Sequence, residues 1–197
     1  MQRKILLVIG GPSGAGKTKV IEWLSKFFGS MFGDVVTATT RRARIGERNG
    51  FHYQFLVPSQ FMAQVNGGLF IEHALVHRNQ YGIPLKSVER VWNTGGKVKK
   101  TPLLNIDSAG RESVVKYFAS NQGVRVVSIF IRPPSLRILG ERLQLRCQAD
   151  GTSKETMLLR LGNAEAEMKR CNEYDHQVIN HDLGTTVLDI LEIVQNI

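Results

Sequence analysis

Cysteine is scarce: Cys147 and Cys171 are the two in 197 residues, and they form no CxxC spacing. That excludes a disulfide-stapled scaffold, and five scattered histidines complete no metal-ligand set. Long apolar runs are missing as well, since none reaches the roughly 18 residues that span a bilayer. The longest early run, "ILLVIGGP", is short and ends in glycines, so it reads as a buried strand and not as a signal peptide. The expected setting is a reducing cytoplasm, away from membranes. Acidic residues are outnumbered, 17 against 26 lysines and arginines, which leaves a formal net charge of +9. Such a charge suits anionic partners, from nucleic acid to nucleotides. No aromatic–basic interleaving or helix-turn-helix pattern accompanies it, so no nucleic-acid partner is expected.

The chain does contain a steady alternation of β-type runs and segments of helical period. "KILLVIGG" (4–11) precedes Val20, Ile21, Leu24, Phe27 and Phe28 on one helical face. "VKKTPLLNID" (98–107) contains a strand, followed by a helix through Val114, Val115 and Phe118. "VRVVSIFI" (124–131) is the clearest buried strand, and Leu136, Leu139 and Leu143 then share a helical face. Met157, Leu161, Ala164 and Met168 do likewise. "HQVIN" (176–180) and the run Leu183, Val187, Leu191, Val194 give a last strand and helix. Strands without in/out alternation, joined by helices, imply an α/β fold with a parallel sheet covered on both faces. Residues 37–90 break the rhythm with glycines and aromatics, as an inserted lobe does, and 147–156 are polar and suit a mobile loop.

Gly11-Pro12-Ser13-Gly14-Ala15-Gly16-Lys17-Thr18 matches GxxxxGK[ST], with a strand before it and a helix after. Glycines let successive backbone N–H groups turn inward around an anion, and the helix N-terminus adds partial positive charge. Lys17 is expected against the β/γ-phosphates of ATP, with the Thr18 hydroxyl on Mg²⁺. The motif specifies a nucleoside triphosphate. It does not say what receives the phosphate.

The acceptor comes from "TTRRARIGERNGFHYQF" (39–55), which resembles the TTRxxRxGExxGxxYxF segment of guanylate kinases. "FIEHALVHRNQYGIP" (70–84), "LLNIDSAG", "IFIRPPS" and "VINHDL" are similar to later landmarks of that family, in order. The resemblance implies a P-loop nucleoside monophosphate kinase fold that transfers the γ-phosphate of ATP to GMP or dGMP. It implies a core of residues 1–36, 91–141 and 161–197, a GMP-binding lobe at 37–90 and a lid at 142–160. For GMP it implies Arg41, Arg44, Tyr53 and Tyr81 on the phosphate, Glu72 and Thr37 on the base, and Asp107 along the guanosine. Arg142, Arg146 and Arg160 become lid arginines acting with Lys17, and Asn180 lies near the adenine. Forked arginine donors suit a phosphate dianion. A carboxylate also suits the adjacent N1–H and N2–H donors of guanine, a pair that adenine lacks. Arg42 and Arg48 match no fixed position, and the histidines are left structural.

Three positions depart from the family pattern. Ile83 stands where a Ser or Thr hydroxyl helps to read the base, Asn105 replaces the first carboxylate of "DID", and His181 replaces an aspartate after Asn180. The lid stretch is also a few residues longer than usual. Two other readings stay open on the residues alone: a kinase of this fold for another phosphorylated acceptor, and a guanylate-kinase-like binding module. Monomer and homodimer are equally compatible with the sequence.

Overall fold

Lys4–Gly10 is apolar from Leu6 to Ile9, and all four of those side chains are shut off from solvent. A strand this apolar on both faces has to lie inside a sheet covered twice. The computed structural model describes residues 3–76, 78–94, 99–150 and 153–197. Its elements begin with β1 (Lys4–Gly10), α1 (Lys17–Phe27), β2 (Phe32–Asp34), β3 (Thr37–Thr39) and β4 (Tyr53–Phe55). They continue with α2 (Pro58–Asn66), β5 (Phe70–Val76), β6 (Asn79–Pro84), α3 (Leu85–Asn93), β7 (Thr101–Asn105) and α4 (Ser108–Phe118). β8 (Val124–Arg132), α5 (Leu136–Asp150), α6 (Lys154–Met168), β9 (His176–Ile179) and α7 (Leu183–Gln195) complete the chain.

The strands form two sheets. Five take the order β2-β7-β1-β8-β9, with parallel pairing of β2 to β7 and of β8 to β9. The other four take the order β4-β3-β6-β5. Most neighbouring strands of the first sheet are far apart in the sequence, and parallel neighbours cannot be joined by a tight hairpin. The packing divides the chain into two compact units: 1–6, 29–104 and 109–126 in one, and 7–28, 105–108 and 127–197 in the other.

In the first unit, the small sheet is a β5–β6 hairpin with β3 and β4 added to its β6 side. Ala38, Phe61 and Phe70 are buried together, with Leu56 and Val65 against them, so α2 covers one sheet face. The Phe61 and Phe70 rings stack at 4.7 Å between centroids. Gly82 is fixed by this packing: a Cβ there would lie 2.9 Å from the Phe70 ring. Trp92 on α3 donates its indole N–H to the Ile5 carbonyl at 2.8 Å.

In the second unit, Leu139 and Leu143 on α5 pack with Ala164, Met157 and Leu161 on α6. These are residues expected from the helical period, whereas Leu136 is 47% exposed. On α1 the expected face is only half realised. Val20 and Leu24 are fully buried, but Phe27 is 56% exposed and rests against Trp23 at 5.0 Å. The stretch 147–156 also differs from expectation. α5 continues to Asp150 and α6 begins at Lys154, so helix occupies most of a segment whose composition suggests a loop, and residues 151 and 152 lie outside the described ones.

Candidate active site

The loop from Gly11 to Gly16 joins β1 to α1, and its conformation explains its glycines. Gly11, Gly14 and Gly16 have φ of 128°, 87° and 100°, a region that L side chains avoid. Space is short as well: a Cβ on Gly11 would collide with the Ile131 carbonyl oxygen, and one on Gly16 with the Asn180 Nδ2. Asn180 is buried, donates from Nδ2 to the Ala15 carbonyl at 2.7 Å, and accepts from the Thr186 hydroxyl at 3.1 Å. Its side chain therefore braces the loop from behind. The family resemblance implies only a position near adenine, and the brace has no signal in the sequence.

Lys17 opens α1, and its Nζ donates to the carbonyls of Gly11 and, at 3.1 Å, of Pro12. A cavity of about 670 Å³ lies in front of it. Ser13, Gly14, Lys17 and Thr18 line one side, and Asn105, Asp107, Arg142, Arg146 and Glu167 the others. Burial pushes the Lys17 ammonium below its ordinary pKa, Glu167 and Asp107 pull it back up, and Arg146 adds to the lowering. Burial pushes Glu167 upward, against the attraction of Lys17. Arg142 donates to the Asn180 carbonyl at 3.2 Å, while Arg160 on α6 donates to the sulfur of Cys147 on α5 at 3.6 Å. The motif residues, Arg142, Arg146 and Asp107 are thus brought together in one unit. Asp107, expected along the guanosine, lines this cavity.

The residues expected on the acceptor, apart from Asp107, lie in the other unit, most of them on the small sheet. Thr37 is in register with Tyr53, Thr39 with Tyr81, and Glu72 with Ile83. Directly opposed residues share a sheet face, and the alternation along each strand carries that face across. Thr37, Tyr53, Tyr81, Glu72 and Ile83 therefore stand on one side, opposite the side that α2 covers. The Tyr53 and Tyr81 rings lie edge to face at 6.2 Å. Burial raises the Tyr53 phenol pKa, and Tyr81 beside it adds to the rise. Ile83 is 1% exposed, so the position where the family pattern has a hydroxyl is apolar and closed.

The arginine segment is tied to this sheet. The Thr39 hydroxyl donates to the Gln80 carbonyl at 2.9 Å and accepts from the Arg41 N–H at 3.2 Å. Gly46 and Gly50, with φ of 86° and 76°, let the loop return towards β4. Arg41 meets Glu47 in a two-pronged pair at 2.9 and 3.0 Å, and its guanidinium lies 5.5 Å from the Tyr53 ring centre. Glu47 also accepts from the main-chain N–H of Arg44 at 2.7 Å. The Arg41 hydrogen bond and that N–H hold the Glu47 carboxyl down at about 2. Arg42 and Arg44 are exposed, and Arg48 is exposed over the Phe51 ring at 4.7 Å. Glu47 is not among the residues that sequence reasoning selects, although it is a fixed letter of the quoted motif. Glu167 is not among them either; its one sequence signal is a spacing of two helical turns from Arg160.

A glycine-built anion cradle between a parallel strand and a helix, with a lysine at its mouth, defines a P-loop nucleotide-binding protein. The family model for guanylate kinase matches residues 2–197. The guanylate kinase of Rickettsia bellii is 36% identical over 190 residues, 96% of this chain and 93% of that protein. That of Carboxydothermus hydrogenoformans is 37% identical over 191 residues, covering 96% of this chain and 87% of the relative. The crystal structure of guanylate kinase from Anaplasma phagocytophilum superimposes with a TM-score of 0.71 at 31% identity, covering 100% of this chain and 87% of that one. The chain belongs to the guanylate kinase family, and its activity is that of a guanylate kinase. Among the described residues, no helix is long and apolar enough to cross a membrane.

Proposed function

We propose that the P-loop cavity holds Mg·ATP and that the face of the small sheet opposite α2 holds GMP or dGMP. The observation that carries this reading is the shared face of Thr37, Tyr53, Tyr81 and Glu72 beside the Arg41–Glu47 pair. A nucleotide monophosphate needs a phosphate clamp and a base reader at fixed separation. Arg41, Arg44 and the tyrosines supply the first, and Glu72 the second. A Glu72 carboxylate paired to the N1–H and N2–H of guanine is left unmatched by adenine, a penalty of about 1–3 kcal/mol.

On the donor side, the backbone N–H groups of Gly14 to Lys17 cradle the phosphates, and Lys17 leaves the Gly11 and Pro12 carbonyls to meet them. Thr18, Asn105 and Asp107 offer hydroxyl, amide and carboxylate oxygens along one cavity, a hard-donor set that suits Mg²⁺. Bound there, the ion neutralises charge on the β- and γ-phosphates. Arg142, Arg146 and Arg160 stabilise the transferring group, and closure of their two helices excludes water from it. No covalent enzyme intermediate is needed, because alignment and electrostatic stabilisation carry the transfer.

A coupled assay of ADP release across GMP, dGMP, AMP, UMP and ribose phosphates tests the acceptor. GMP is expected to exceed AMP by about tenfold or more in kcat/KM, and Glu72→Gln to shrink that ratio. Equal rates with GMP and AMP would overturn the assignment of Glu72.

A further inference from the structure

Glu167 sits seven residues after Arg160 on α6, a spacing of two turns that puts both on the same side of the helix. Glu167 lines the cavity together with Lys17, Asp107 and Arg146. Its Oε1 is closed to solvent and has no hydrogen-bond partner among the described residues. A buried carboxylate oxygen left in that condition is costly, and native chains seldom keep one without a purpose. The helix beneath it is not loose, because Ala164 and Leu161 are packed against Leu139 and Leu143 of α5. The unused acceptor is therefore held in place.

Lys17 shows the complementary condition. Its ammonium carries three donors, and it directs two of them at the Gly11 and Pro12 carbonyls of its own loop. Those bonds close the lysine onto the cradle that the phosphates must occupy. Among the charged groups that act on Lys17, Glu167 is the strongest attraction. Asp107 repels Glu167, so a cation moving between the two carboxylates is favoured by both.

We propose that Glu167 is a positioning residue for phosphoryl transfer: its carboxylate is the waiting acceptor for the Lys17 ammonium when nucleotide phosphates draw it off the loop carbonyls. One N–H of Lys17 then points at Glu167 and the others at phosphate oxygens, which fixes the charge at the mouth of the cradle. This rests on the reading of the cavity as the ATP site.

Two variants test it, Glu167→Gln, which keeps the shape and removes the charge, and Glu167→Leu, which removes the acceptor. Both are expected to lower kcat/KM for Mg·ATP by about tenfold, the worth of one hydrogen bond to a charged group, and to leave the KM for GMP within about twofold. The Lys17 ammonium signal in ¹H–¹⁵N spectra of the Mg·ADP-saturated enzyme should exchange faster with water in Glu167→Leu than in the unmodified chain. Unchanged ATP kinetics with an unchanged ammonium signal would overturn the proposal. So would equal losses for ATP and GMP that follow a drop in melting temperature, since those mark a purely structural role. Lys17→Ala separates the donor-site reading from the role of Glu167. If it binds Mg·ATP normally, the donor-site reading fails and the role of Glu167 with it. If it loses ATP while the Glu167 variants do not, only the role of Glu167 fails.

Discussion

Arg41 and Glu47 form a forked ion pair at 2.9 and 3.0 Å, and the same carboxylate holds the main chain of Arg44 at 2.7 Å. One acidic side chain therefore holds the Arg41 guanidinium and the main chain at Arg44, the two arginines proposed as the phosphate clamp. Removing it should disorganise the clamp while leaving both guanidinium groups present. Glu47→Ala is expected to raise the KM for GMP by about tenfold, the worth of one hydrogen bond to a charged group, with the KM for ATP unchanged. Steady-state kinetics with each substrate varied in turn check this.

The same pair sets a pH dependence. The Glu47 carboxyl titrates at about 2, below its ordinary 4.5, because Arg41 and the Arg44 N–H favour the ionised form. A depressed carboxyl stabilises the fold fully above its unfolded value and loses that contribution as pH falls through its folded value. The stabilisation should thus be complete above about pH 4.5 and fade as pH falls to about 2. The ¹³C shift of the Glu47 carboxyl followed by NMR should give a midpoint near 2, moving up towards 4.5 in Arg41→Gln.

The four arginines of the segment should not be equivalent. Arg41 is partly buried against Tyr53 and paired to Glu47, whereas Arg42 is exposed and Arg48 lies on Phe51. Arg41→Ala and Arg44→Ala should each cut kcat/KM for GMP by about a hundredfold, as removal of a charge-assisted phosphate fork implies. Arg42→Ala and Arg48→Ala should change it by less than about twofold, as for exposed charges. Equal effects at all four would reduce the segment to a generic basic patch.

Asn180 links the end of the last strand to the phosphate loop. Asn180→Ala leaves the Ala15 carbonyl and the Thr186 hydroxyl without this partner, at an expected cost of about 1–3 kcal/mol. Denaturant unfolding measures that cost, and the KM for ATP should rise alongside it. Asn180→Ala with unaltered stability would mean that water replaces the side chain.

Asn105 is exposed on the wall of the P-loop cavity, where the family pattern has a carboxylate. Asn105→Asp should lower the Mg²⁺ concentration that gives half-maximal rate and raise kcat. No gain at any Mg²⁺ concentration would show that Asp107 already suffices.

The sequence by itself determined the P-loop, the run of strands and helices, and the family. Each rests on short-range rules: glycines where φ must be positive, unbroken apolar runs for buried strands, and a helical period for α7. It also pointed to Arg41, Arg44, Tyr53 and Tyr81 as the proposed phosphate clamp, through the family segments they resemble. Tertiary structure decided the rest. The order β2-β7-β1-β8-β9 depends on crossover packing, which no local pattern encodes. The helical course of the polar stretch 147–156, up to Asp150 and from Lys154, was hidden by a composition that turn and helix share. The sequence singles out neither Glu47 nor Glu167, and only folding places the first against Arg41 and the second on the cavity that Lys17 lines. A carboxylate's role is fixed by the cation it faces, and that partner is chosen by the fold.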